Sequence, residues 1–322
     1  MKGCFQGRVR GVDRVVQETR REVYSGPVAR WLVILNPRSG KGTGSRTETD
    51  LRRELQKRRV EFDLCKTEGP GHASVLTRSG LERDYGVVVV VGGDGTISEA
   101  ASVLIESSSV PLGIVPLGTG NDLARNLGLP IGSVKRALDV IEQGTTRVID
   151  VGSDAGEVFV SVLGLGFPVT VAETANRVRF LRGTAAFFWG VYASLRSMHA
   201  FPVQLKIDDQ SLSLEATSIL IQNTALTGGG LKTAPGAQLD DGFLDVVVVE
   251  KIGRLSLMVN FPKVYRGRHL DHPRFRAYRC REVEVHCPFP VPKMGDGDSR
   301  GHSPIRAFVR PEALRVLAPA GR

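Results

Sequence analysis

The sequence predicts an α/β domain with a mostly parallel sheet, followed by an antiparallel β-sandwich domain. Three observations carry that prediction. Val87 to Val91 is β-branched and uncharged, the composition of a strand buried on both faces of a parallel sheet. Strand-like and helix-like periods alternate from Arg30 to about Arg147, and repeated βα units imply parallel strands with helices on both faces. Beyond Arg147 short strands and Asp-rich turns take over, the pattern of a sandwich or barrel. The expected division is a basic tail (1–27), the α/β domain (28–145), the sandwich domain (146–304) and a C-terminal segment (305–322). For the tail, disorder, a targeting role and a membrane contact are all open.

Each element has its own warrant. Trp31 to Leu35 reads as a strand. Thr47 to Arg59 reads as a helix with Leu51 and Leu55 inward. Val60, Phe62 and Leu64 alternate with Glu61 and Asp63, giving a second strand. His72 to Leu81 is a helix and Val87 to Val91 a strand. Thr96 to Ile105 is a helix, because Ile97, Ala100, Ala101, Leu104 and Ile105 recur on one face. Leu112 to Val115 is a strand, and helices start at Asn121 and at Ser133. In the second half Val148–Val151, Val158–Val162, Val203–Ile207, Leu212–Gln222, Phe243–Val249 and Glu282–His286 read as strands. A helical insertion spans roughly Ala172 to Met198, and Asp208-Asp209 and Asp240-Asp241-Gly242 are turn signals. Ligands favour the cleft between two such domains.

Composition narrows the setting. With 322 residues and 41% apolar content the chain has material for a substantial core. Cys4, Cys65, Cys280 and Cys287 show no CxxC spacing or paired framework, so a reduced, cytoplasmic setting is expected. Residues 1–30 lack the apolar core of a secretory signal. The longest uncharged, mostly apolar run is Thr184 to Ala193, well short of the ~20 residues that span a bilayer. A soluble or peripheral protein is expected. The net charge of +9 is concentrated in the first thirty residues and in Lys263, Arg266, Arg268, Arg274, Arg276, Arg279 and Arg281. Aromatics are scarce in both stretches and no nucleic-acid motif appears, so an anionic membrane surface is preferred to nucleic acid as partner. A solvated basic face is the ordinary alternative.

Five glycine-marked segments carry the chemistry. Val91-Gly92-Gly93-Asp94-Gly95-Thr96 joins a strand to a helix, the geometry that aims backbone N–H groups at a phosphate. Asp94 beside an anion makes sense with a Mg²⁺ or a proton transfer. Asn36 to Gly44 follows the first strand and fails the P-loop pattern, which needs Gly at Leu35 and Ser or Thr at Gly42. It is still placed at a strand's carboxyl end, where nucleotides sit. Pro116 to Arg125 offers Thr119, its glycines and Asn121, which is expected to cap the next helix. Gly228-Gly229-Gly230 precedes Ala234 to Asp245, whose Asp240, Asp241 and Asp245 suit either a hard cation or an acidic turn. In Lys293-Met294-Gly295-Asp296-Gly297-Asp298 either carboxylate is a candidate proton acceptor.

Together these segments resemble the diacylglycerol kinase catalytic-domain family, which includes bacterial lipid kinases and the sphingosine and ceramide kinases. The resemblance covers about residues 30–320 and is specific at GGDGT (92–96), PLGTGNDLAR (116–125) and GGG to DGFLD (228–245), with a loose match over 170–222. It implies a two-domain lipid kinase using ATP and Mg²⁺. Asn36, Gly40, Thr67, Gly92, Gly93, Asp94, Gly95, Thr96, Glu99 and Thr119 fall on nucleotide-binding positions. Gln238, Asp241 and Phe243 fall on positions of a structural Mg²⁺, the first and last through their carbonyls. The family's final acidic motif is usually DGE. Here Asp296-Gly297-Asp298 stands in its place, leaving Asp298 or Asp296 as the base. The family's last strand returns to the first domain, as Ile305 to Leu317 is then expected to do.

Two further expectations concern partners. Phe187, Phe188, Trp189, Val191, Tyr192 and Leu195, bordered by Arg177, Arg179, Arg182 and Arg196, fit a helix at a membrane interface. A buried helix or a homodimer contact is the competing reading. A soluble-substrate kinase that also uses a GGDG turn, such as NAD kinase, is the first rival function, and a non-catalytic lipid- or nucleotide-binding protein is the second. Which lipid would be the acceptor is open.

Overall fold

The valine run is the spine of the fold. In the computed structural model, which describes residues 21–23, 30–39, 44–83, 85–106, 109–143, 145–177 and 184–320, a short strand β1 (Arg21–Val23) precedes four parallel strands. These are β2 (Trp31–Leu35), β3 (Phe62–Lys66), β4 (Val87–Gly92) and β5 (Leu112–Pro116), ordered β3-β2-β4-β5. The helices between and after them are α1 (Gly44–Lys57), α2 (His72–Leu81), α3 (Asp94–Leu104), α4 (Asp122–Asn126) and α5 (Val134–Gln143). Alternate residues of β4 face opposite layers. Val88 and Val90 pack with Ile97, Ala101 and Leu123 beneath α2, α3 and α4. Val87, Val89 and Val91 pack with Leu51, Leu55, Leu138 and Ile141 beneath α1 and α5. Helices therefore cover both faces, and each buried valine contributes roughly 1.5–3 kcal/mol.

The second half is antiparallel. It runs β6 (Thr145–Asp154), β7 (Glu157–Phe159), β8 (Val162–Gly166), α6 (Phe167–Arg177), α7 (Thr184–Ser194), β9 (Phe201–Ile207), β10 (Gln210–Gln222) and β11 (Leu244–Glu250). Then come α8 (Arg254–Asn260), β12 (Phe275–Cys280), β13 (Glu282–His286), β14 (Pro292–Gly295), β15 (Asp298–His302) and β16 (Ile305–Leu317). A second core gathers Phe159, Leu165, Phe201, Ile219, Val246 and Val283. β16 joins the halves. It pairs antiparallel with β13 and β6, and Val316 pairs in parallel with Leu112 of β5. Leu314 and Val316 enter the core under α3. The expected return of the final strand is thus observed.

Several expectations needed correction. The single strand expected at Val158–Val162 is two, β7 and β8. The break falls at Val160-Ser161, where the Asp296 carboxylate takes the backbone N–H groups instead of a neighbouring strand. α3 starts at Asp94, two residues early, so Asp94 to Thr96 form its first turn. Asn121 stands at the N-cap of α4 with φ 51°, but its amide Nδ2 donates back to Gly118 O at 2.7 Å and caps nothing. The short α8 and strands β12, β14 and β15 were not anticipated. Within the basic tail, Arg21 to Val23 pair with Thr145 to Arg147 of β6. Cys65, Cys280 and Cys287 are free thiols.

Candidate active site

Glycines at the end of β4 let two loops touch. Gly92 O accepts the N–H groups of Leu117 (2.8 Å) and Gly118 (3.2 Å) from the loop after β5. A Cβ on Gly93 would lie 3.1 Å from the Cα of Gly118, so a side chain there would push the loops apart. A Cβ on Gly95 would lie 2.6 Å from an Asp298 carboxylate oxygen. The absent side chain lets Asp298 rest on the first turn of α3, where the helix dipole favours an anion.

A cleft of about 270 Å³ opens at this turn. Of the residues singled out in the sequence, Asn36, Thr67, Gly93, Asp94, Gly95, Thr96, Glu99 and Asp298 line it. Thr119 is exposed on the neighbouring loop and Gly92 ends β4 behind the turn, so neither lines the cleft. Gly40 lies outside the described residues. Sequence reasoning missed Glu68, Gly69 and Pro70, which also line it. Their signal was positional: they follow β3 at the same carboxyl edge of the sheet.

Two of the cleft-lining residues also brace neighbouring elements. Asn36 donates from Nδ2 to Thr96 Oγ1 (2.9 Å) and accepts the Arg38 N–H on Oδ1 (3.0 Å), so it ties the first loop to α3. Glu99 accepts the N–H groups of Gly71 (2.7 Å) and Ala73 (3.0 Å), closing the N-terminus of α2. Each carboxylate oxygen thus takes one backbone N–H, while the residue also lines the cleft.

The acids at the centre differ in how they are held. Asp94 Oδ1 accepts the N–H of Asp122 at 2.6 Å. Asp122 is buried and accepts Gly228 N and Gly229 N, each at 2.8 Å. The triple glycine is therefore tied to Asp94 of the cleft wall through Asp122, a residue the sequence did not single out. Asn126 and Leu226 cross-link the same two segments, with bonds of 2.9 and 3.0 Å. Burial, then the Asp122 carboxylate, push Asp94 up to about 7. Burial likewise pushes Asp122 up to about 6, against the pull of the Gly229 and Gly228 N–H groups.

The two candidate bases separate cleanly. Asp296 is buried and accepts four donors: Ser98 Oγ (2.8 Å), Val160 N (2.8 Å), Ser161 N (2.8 Å) and Val162 N (3.1 Å). Both oxygens are saturated, and the side chain does not line the cleft. Asp298 does line it. Desolvation against the cleft wall, then the Glu99 and Asp296 carboxylates, raise the Asp298 carboxyl, with Arg300 opposing.

Comparison with known proteins fits this geometry. Residues 30–153 match the diacylglycerol kinase catalytic domain, and residues 161–318 match the YegS C-terminal NAD kinase beta sandwich-like domain. Over 298 residues the chain is 32% identical to a Mycobacterium tuberculosis protein named diacylglycerol kinase, covering 91% of this chain and 96% of that one. The chain belongs to the diacylglycerol kinase family. It is accordingly a kinase, a phosphoryl transferase. A diacylglycerol kinase of Staphylococcus saprophyticus is 30% identical over 289 residues, covering 89% of this chain and 94% of the relative. The fold is shared with a crystal structure of a putative diacylglycerol kinase from Bacillus anthracis, at a TM-score of 0.75, 22% identity and coverage of 91% and 98%.

In one respect this diacylglycerol kinase family member departs from expectation. Of the three positions implied for a structural Mg²⁺, Gln238, Asp241 and Phe243, the one carboxylate already has a cationic partner. Asp241 forms an ion pair with Arg279, and its Oδ1 accepts the N–H of Phe243 at 3.1 Å. The same guanidinium lies 4.4 Å over the Phe243 ring. Asp240 pairs with Arg147 at 3.0 Å. Two of the loop's carboxylates are therefore already paired with arginines. Chelation by EDTA without nucleotide is expected to leave the melting temperature unchanged. Arg279→Gln is expected to lower it by about 2–4 °C, because Asp241 loses its partner. A melting temperature that falls with EDTA in the unaltered protein would return the loop to a metal.

Proposed function

We propose that this kinase transfers the γ-phosphate of ATP to the hydroxyl of a lipid. One observation carries the reading: a single segment joins the polar cleft to an apolar pocket. Gly228 and Gly229 hold Asp122, whose own N–H is bonded to Asp94 of the cleft, and Thr227, the residue before them, lines a pocket of about 110 Å³. That pocket is walled by Phe167, Val171, Leu220, Leu231, Val249 and Phe275, which suits a hydrocarbon tail. A lipid with its tail there presents its head group toward the cleft.

The chemistry follows from the residues. Magnesium arriving with the nucleotide supplies charge neutralisation, and Asp94 is the carboxylate suited to hold it. The first turn of α3 offers backbone N–H groups to the phosphates. Asn36 and Thr96 fix that turn against the first loop. Asp298 accepts the proton as the lipid hydroxyl oxygen bonds to the γ-phosphorus. The bond from that phosphorus to the bridging oxygen breaks, and ADP leaves. Positioning and electrostatics account for most of the rate in such transfers.

The test is transfer of radiolabelled γ-phosphate from Mg-ATP to diacylglycerol, sphingoid bases, ceramide and phospholipids in mixed micelles, with NAD alongside. Labelling of one lipid and not of NAD is expected. Transfer to NAD would make the protein a soluble-substrate kinase. ATP binding with no labelled lipid would favour a non-catalytic binder.

A further inference from the structure

The surface above the apolar pocket is itself apolar. On α7, Trp189 is 45% and Tyr192 64% exposed. On α8, Leu255 is 70% and Val259 61% exposed, with Met258 beside them. Those α8 positions stand at i, i+3 and i+4 and share one face, while Leu257 turns inward to line the pocket. A helix with apolar residues on both its inner and outer faces has no ordinary solvent side. The two helices form one platform. Phe188 meets Phe261 edge-on and stacks on Tyr265, both with ring centroids at 5.3 Å. Arg254 donates to Arg196 O at 2.9 Å. Val191 of α7 and Leu257 of α8 are roof residues of the pocket below.

The rim is basic. Arg196, Arg254, Lys263 and Arg266 have no carboxylate partner among the described residues. The acids of the adjoining segments are taken: Glu215 pairs with Lys251, Glu250 with Arg274 and Arg276, and Asp271 with Arg268. Of the arginines expected to border α7, Arg179 and Arg182 lie outside the described residues. Nothing is described of the side chains of Arg177 and Phe187.

We propose that the α7–α8 platform docks on an anionic lipid bilayer, inserting Trp189, Tyr192, Leu255, Met258 and Val259 while its basic rim meets the head groups. Scattered exposed apolar residues are ordinary, but a contiguous patch over an apolar pocket marks a contact surface. Trp and Tyr belong at the bilayer interface, and uncompensated basic residues near an anionic surface strengthen the attachment. A second copy of the chain fits worse. A two-fold interface would place the same unpaired cations against each other. Among the described residues no helix is long and apolar enough to cross a membrane, so contact would be from one side. The pocket beneath then opens onto the acyl layer, and an acceptor reaches it without crossing water.

The test is flotation of the full chain with phosphatidylglycerol-containing vesicles and with pure phosphatidylcholine vesicles. The protein is expected to float with the anionic vesicles, and less so as salt rises. Leu255→Ser with Val259→Ser, and separately Trp189→Ser with Tyr192→Ser, are expected to lower vesicle partition by about tenfold. Arg196→Gln with Arg266→Gln should remove the preference for anionic vesicles. All variants should keep the parent circular dichroism and the same turnover on a water-soluble short-chain acceptor. That readout separates loss of docking from loss of the lipid-kinase reading. Equal flotation of parent and variants would overturn the proposal. So would a dimer in light scattering that Leu255→Ser with Val259→Ser converts to a monomer.

Discussion

Replacing Asp94 with Asn is expected to lower phosphoryl transfer by about a thousandfold or more while the fold and melting temperature are kept. The change is isosteric, and the amide Oδ1 still accepts the Asp122 N–H that positions the side chain. It removes only the charge. That charge is raised in free energy by burial and by Asp122, and a nucleotide-bound magnesium relieves both. The pH dependence follows with a definite sign. The carboxyl of the free protein titrates at about 7, and the nucleotide-bound form needs it ionised. Affinity for magnesium nucleotide should therefore climb as pH rises toward about 7 and level off above it. Calorimetric titration across that range, in the parent and in Asp94→Asn, measures it. A variant with near-normal turnover, or one that keeps the slope, would remove Asp94 from the chemistry.

Asp298 and Asp296 should part company when each is changed to Ala. Asp298→Ala is expected to cost about 10²–10⁴ in kcat with little effect on stability, because it removes a proton acceptor and no packing. Desolvation and neighbouring carboxylates raise the Asp298 carboxyl, so the acidic limb of the kcat profile should lie above the usual aspartate range and vanish in Asp298→Asn. Asp296→Ala should instead destabilise the protein by about 3–5 kcal/mol, because it strands the N–H groups of Val160, Ser161 and Val162 and the Ser98 hydroxyl. Its activity loss should track unfolding and ease on cooling. Denaturant melts alongside kcat measurements separate the two. An Asp296→Ala protein that is stable but inactive, with Asp298→Ala active, would exchange the roles.

What the sequence revealed follows from how local each signal was. The turn from β4 into α3 was legible because its warrant is contiguous: five valines, two glycines, then an apolar stripe. The split between β7 and β8 was not, because its cause is a carboxylate more than 130 residues away. Asp122 was passed over for the same reason, since its partners at Gly228 and Gly229 lie more than 100 positions downstream. α8 has seven residues and no polar outer face, so no amphipathic period marked it. β12 reads Phe-Arg-Ala-Tyr-Arg-Cys, in which the arginines read as surface charge. One of that basic cluster, Arg279, turns out to be committed to Asp241, a choice that only the paired register of β11 and β12 brings about.

The course of β16 has a bearing on how the chain is made. β6 and the edge of β5 emerge from the ribosome long before Ile305 to Leu317, which complete them. Until then a ten-residue strand waits beside a parallel sheet whose core lacks Leu314 and Val316. The hairpin of β14 and β15, which brings Asp298 to the cleft, also comes late. The N-terminal half therefore gains its last strand only when the C-terminal half has been made. A growing chain carries an open sheet margin until translation is nearly over. An aborted product carrying the intact GGDGT turn would lack Asp298 and with it one wall of the cleft.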